Sequence, residues 1–89
     1  MEGIGNNPFT GISFDNDNTG TLLYANGNNV DFTYAGGDGM LAINTSGRNK
    51  SSVTVEYNIN NNILEIKYFR GDMEFPKNII SFRKYNKSN

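Results

Sequence analysis

Eighty-nine residues with a formal net charge of −1 give room for one domain and no field to steer the chain to nucleic acid or an anionic membrane. With no Cys and no His, disulfides, thiolate or imidazole catalysis and zinc–thiolate sites are excluded. Sixteen Asn and ten Gly favour turns over helices, while eleven aromatic residues keep the chain out of the disordered class. Residues 1–10, MEGIGNNPFT, have no period and read as a loose lead-in. From there the apolar residues fall at every second position: Ile12 and Phe14; Leu22 and Tyr24; Val30, Phe32 and Tyr34; Leu41 and Ile43; Val53, Val55, Tyr57 and Ile59; Leu64, Ile66 and Tyr68; Ile80 and Phe82. Alternation places one set of side chains on one face of a pleat, so each run predicts a strand with one wet side.

Asn- and Gly-rich links separate the runs, among them Asn18-Thr19-Gly20, Asn26-Gly27, Gly36-Gly37-Asp38-Gly39 and Asn60-Asn61-Asn62. Both residue types accept the positive φ that tight hairpins demand. About seven strands, short links and no helical window predict an all-β antiparallel meander, closed into a small barrel over residues 11–86, with residues 87–89 a frayed end. Closure covers the apolar face and removes both edges. A β-sandwich is the alternative packing.

The string Phe14-Asp15-Asn16-Asp17-Asn18-Thr19-Gly20-Thr21, the strand Val30-Asp31-Phe32-Thr33-Tyr34, the pair Val55-Glu56-Tyr57-Asn58-Ile59 and Asn62-Ile63-Leu64-Glu65-Ile66, and the closing Arg83-Lys84-Tyr85 together resemble bacterial lipocalin-like domains. Such domains carry an F-x-x-D-G-T-G hairpin followed by F-x-Y, Y-x-I and L-x-I strands. The resemblance covers roughly residues 12–85. It implies a calycin-type barrel that binds without catalysis, in a bacterial protein that is exported or surface-exposed. Two departures stand out. Asn18 replaces the usual Gly, and the N-terminal Trp-bearing strand and short helix of the family have no counterpart. An incomplete barrel, or one completed by a second copy, is the expectation that follows.

Asp15-Asn16-Asp17-Asn18-Thr19-Gly20 matches the first half of an EF-hand loop through Asp15, Asp17, Thr19 and Gly20. The bidentate carboxylate at the twelfth position is missing, because Asn26 stands there. The stretch is therefore expected to be a hairpin turn in which Asp17 or Asn18 bonds its own backbone, with no metal. Gly36-Gly37-Asp38-Gly39 lacks the Asp of a calcium β-roll, Leu41 occupying that place, and lacks the Lys-Ser/Thr of a phosphate loop. Paired-carboxylate catalysis by Asp15, Asp17, Asp31 or Glu56 is disfavoured, since strand parity turns Asp31 and Glu56 outward. The expectation is a non-enzymatic protein with no cofactor.

Two binding modes remain. Inward rings Phe14, Tyr24, Phe32, Tyr34, Tyr57 and Tyr68 would line a site for a small apolar ligand. Phe69, out of phase with Leu64, Ile66 and Tyr68, and Arg70, Met73 and Phe75, which follow it in a loop or edge strand before Pro76, either cover an open barrel end or form a rim for a protein partner, a second copy of the chain included. The alternative class is a nucleic-acid-binding or phage-type inhibitory barrel acting through Lys67, Arg70, Arg83 and Lys84, which the near-neutral charge disfavours. No run is apolar enough to span a bilayer, and no signal-peptide pattern opens the sequence.

Overall fold

The computed structural model describes residues 1–45 and 50–84. Eight antiparallel strands follow one another around a closed barrel: β1 (Glu2–Ile4), β2 (Phe9–Phe14), β3 (Thr19–Tyr24), β4 (Asn29–Gly37), β5 (Met40–Thr45), β6 (Ser52–Asn60), β7 (Ile63–Gly71) and β8 (Ile80–Arg83). Each strand pairs with its neighbours in sequence, and β1 pairs with β8 to close the ring. The described residues form an all-β meander barrel, with one strand more than alternation suggested.

The extra strand comes from the stretch expected to be a loose lead-in. Glu2 stands opposite Arg83, Gly3 opposite Phe82 and Ile4 opposite Ser81. The Glu2 carboxylate accepts from Arg83 Nε at 2.7 Å, an exposed pair that fixes register more than it adds stability. Asn7 ties the β1–β2 turn across the seam, donating through Nδ2 to Ser81 O and accepting from Phe9 N. The barrel is thus complete within one chain, and neither a missing strand nor a second copy is needed to close it. The expected frayed end, residues 87–89, lies outside the described residues, as does Tyr85.

Inward positions assemble the core in the order parity dictates. Ile12, Leu22, Phe32, Leu41, Ile43, Val53, Val55, Leu64, Ile66, Ile80 and Phe82 are all buried, joined by Phe9, Met73 and Phe75. An eight-stranded barrel is just wide enough for its own side chains to fill. Two aromatic groups lie towards its ends. Phe9 packs edge-on to Tyr24 with centroids 4.9 Å apart and lies against Phe75 and Phe82. Towards the other end, Phe14 meets Phe32 at 5.8 Å and Tyr34 at 5.1 Å.

Two register shifts bend the wall. One lies between Phe9 and Gly11, where Thr10 is the extra residue. The other lies on the β6–β7 ladder, where Thr54 faces Arg70 but Val55 faces Tyr68, leaving Phe69 unpaired. Alternation alone places Phe69 outside, 52% exposed, with the Arg70 guanidinium 5.6 Å from its ring centroid; the bulge is why Arg70, the next residue, is exposed as well instead of turning inward. At the end of β7, Gly71 has φ +146°, and a Cβ there would lie 2.4 Å from Ser52 O.

Candidate functional site

The two ends of the barrel differ. At one end the β7–β8 connection, residues 72–79, folds over the opening. Asp72 N and Met73 N both donate to Ser52 O at 3.0 Å, and Ser52 N donates to the Asp72 carboxylate at 2.8 Å. Tyr68 donates its hydroxyl to Gly71 O, and Lys77 Nζ sits 3.6 Å from the centre of the Tyr68 ring. So held, the connection drives Met73 and Phe75 into the barrel, each 6% exposed. Of the four residues considered for a partner rim, Met73 and Phe75 are therefore core, and only Phe69 and Arg70 face outward. The physical reason is that an open barrel end leaves Phe9 and Phe82 wet, and two apolar side chains from the nearest loop remove that cost. Tyr24 borders this plug; burial first, and then the Glu74 carboxylate, raise its pKa above the ordinary tyrosine value.

The opposite end has no such cover among the described residues. Its connections are short and polar: residues 15–18, Asp38–Gly39 and Asn61–Asn62, with Met1 beside them. Asn18, Asp38, Asn61 and Asn62 all take positive φ, so these connections turn within two to four residues and none reaches across the opening. The result is an apolar cleft of about 200 Å³ lined by Met1, Phe14, Tyr34, Leu41, Tyr57, Ile59, Leu64 and Ile66. Ile59 stands at its lip, 63% exposed, the most exposed large apolar side chain described. Tyr34 keeps its hydroxyl out of the cleft by donating to Asp15 O at 2.9 Å.

The inward rings considered as ligand contacts therefore separate. Phe14, Tyr34 and Tyr57 converge on the open cleft. Phe32 is 2% exposed within the core beneath it. Tyr24 and Tyr68 belong to the plugged end. A continuous interior cavity, the arrangement in which all six would touch one ligand, is replaced by packed side chains, with the apolar mouth at one end and, at the other, a more polar surface cleft of about 460 Å³ over the plug that Tyr24, Glu74 and Phe75 help to line. Met1, Leu41, Ile59, Leu64 and Ile66 complete the mouth; parity alone turns the last four inward, but nothing in the sequence says which end stays open.

Asp15-Asn16-Asp17-Asn18-Thr19-Gly20 forms the β2–β3 hairpin. Asp15 N donates to Thr19 O at 2.8 Å, and Asp17 Oδ1 accepts both Thr19 N at 3.3 Å and the Thr19 hydroxyl at 2.5 Å, the expected Asx-turn. The carboxylates are thus satisfied by Thr19. Among the described residues, no three acidic, His or Cys side chains group closely enough to hold a metal ion. The Thr19 hydroxyl holds the Asp17 carboxyl below its ordinary pKa. A depressed folded-state value gives stability that is present above the unfolded pKa and fades as pH falls through the folded one. Asp17→Asn is therefore expected to cost a small amount near neutrality and nothing once both forms are protonated; parallel denaturant curves at pH 7 and below pH 3 read it, and an equal cost at both excludes the carboxylate's role.

The bases considered for nucleic acid do not converge. Arg83 is engaged by Glu2, Arg70 lies over Phe69, Lys67 stands opposite Glu56 on the β6–β7 ladder, and Lys84 is at the rim of the open end. Asp31 accepts from Thr21 on the outer wall at 3.0 Å. No helix is long and apolar enough to cross a membrane among the described residues. Comparison with protein-family models, with curated proteins and with solved structures found no match to the chain.

Proposed function

We propose that the protein is a non-enzymatic, lipocalin-like binding module whose open barrel end receives a small apolar group. The observation that carries this reading is the contrast between the two ends. One is filled by Met73 and Phe75, and the other leaves Phe14, Tyr34, Tyr57 and Leu64 around an apolar cleft of about 200 Å³. Apolar cavities of about 150 Å³ take up benzene-sized molecules because water gains few hydrogen bonds there. The cleft walls are hydrocarbon and aromatic carbon, so affinity comes from desolvation and ring contacts. Its size suits a single ring or a short alkyl group, and excludes a whole lipid.

Toluene, followed by amide and methyl chemical shifts, is a suitable probe. Shifts are expected to cluster at Phe14, Tyr34, Leu41, Tyr57 and Leu64, and Tyr57→Asp should weaken binding about tenfold while leaving the spectrum dispersed. Shifts centred on Phe9 and Phe75, or none up to the solubility of toluene, would overturn the reading.

A further inference from the structure

The most apolar opening and the most exposed apolar side chain occupy the same face. Ile59 points inward by parity, yet it lies one pair from the Asn61–Asn62 turn, opposite Leu64, and so projects past the wall into solvent. A hole with a knob at its own lip is self-complementary. Two such faces brought together about a two-fold axis place each knob over the other hole, the arrangement that an isologous contact requires. A knob and hole on different faces would instead build an open chain of copies.

Charge on the rim supports the same pairing. Around the barrel, Asp15 and Asp17 lie in the β2–β3 turn and Asp38 in the β4–β5 turn, all exposed. Lys84, also exposed, follows β8 next to the seam with β1, across the ring from Asp38 and two strands round from the Asp15–Asp17 turn. Acids on one arc and a base on the other let a second copy, turned about the two-fold, set Lys84 against the acidic arc. Glu2 and Arg83 neutralise each other and add nothing to this asymmetry.

From this we infer that the open mouth is a self-association face: in the absence of ligand, a second copy of the chain closes it, Ile59 of each copy entering the cleft of the other. The inference rests on reading the mouth as a receptacle for apolar groups. The contact is confined to the barrel end, so the pairing is expected to be a weak one. Because ligand and partner use the same cleft, each displaces the other, and by linkage a small apolar ligand dissociates the pair.

Sedimentation equilibrium of the whole chain, with and without toluene, tests this together with two variants. Average mass should rise with concentration for the wild type and fall back when toluene is added. Ile59→Asp should weaken association about tenfold or more, by burying a charge against hydrocarbon. Phe69→Asp, a change at another exposed apolar residue, on the β7 bulge near the plugged end, should leave association intact. A wild type that stays monomeric at millimolar concentration, association that survives Ile59→Asp, or association unmoved by bound toluene would each overturn the inference. Toluene shifts at the mouth of a strictly monomeric protein leave the binding reading standing and remove this one. Ile59-dependent association without any toluene shifts does the reverse.

Discussion

Phe82→Ala is expected to cost about 3–5 kcal/mol, the usual range for deleting a fully buried ring. Phe82 is 0% exposed, stacks 6.4 Å from Phe9 and lies on the short strand that both closes the barrel and meets the plug. A domain of this size has total stability of only about 5–13 kcal/mol, so the variant should be near the threshold of folding at 37 °C. Urea unfolding at 25 °C measures the difference. Ile79→Ala, three residues earlier and 55% exposed, is the matched control and should change stability by less than about 0.5 kcal/mol. If Phe82→Ala costs less than about 1 kcal/mol, the filled interior described above is wrong, because a ring that packs against nothing leaves no cavity behind.

The second large effect is expected at Gly3, and its sign runs against propensity. Replacing Gly by Val in a strand normally helps, since β-branched residues suit the pleat and Gly loses more entropy on folding. At Gly3 a Cβ would lie 2.0 Å from the carbonyl oxygen of Phe9, a backbone atom that cannot rotate away. Gly3→Val must therefore push β1 away from β2 and strain its seam with β8, and a loss of about 2 kcal/mol or more is expected. Gly37→Val supplies the contrast: it lies in β4 with nothing within 4 Å of the added carbon, and it should be neutral or slightly stabilising. Hydrogen exchange gives a second readout. In Gly3→Val, protection should fall first for amides that hold β1 in place, such as Ile12 N of β2, which donates to Met1 O. Protection unchanged at those amides, with stability intact, would mean β1 does not close the ring.

These two sites also mark where the sequence is readable and where it is not. The strands β3 to β8 announce themselves because each turns two to four apolar side chains to one face at period two, and that one-sidedness is what alternation encodes. β1 is silent. Three residues, Glu2-Gly3-Ile4, hold a single aliphatic side chain, and their place in the sheet is decided by partners about eighty residues away. The start of β2 is masked by its bulge: with Thr10 extra, Phe9 and Ile12 are spaced three apart and look aperiodic, although both face the core. A second bulge sits at Phe69. Its odd phase is visible in the sequence, but only the pairing of Thr54 with Arg70 shows a bulge instead of a strand end.

The candidate site was half legible for a related reason. Parity turns Phe14, Tyr34 and Tyr57 inward, and they do converge at the mouth. Parity has no information on depth along the barrel, so it could not separate them from Phe32, which is sealed, or from Tyr24 and Tyr68 at the far end. Which end is open depends on whether a loop is long enough and apolar enough to fold back. Met73 and Phe75 belong to such a loop, but a run without period does not reveal which way its side chains turn.

Joining the second residue to the eighty-third also sets an order of events for the growing chain. Every hairpin from β2 to β7 can zip with its neighbour as it is made, but the ring has to wait for almost the last strand. Until then β1 and β7 offer raw strand edges to any passing chain, and the oily wall between them is wet. Refolding should accordingly be slow for so small a protein, with losses to aggregation that climb steeply with concentration, while the finished ring leaves no edge for a stray strand to join.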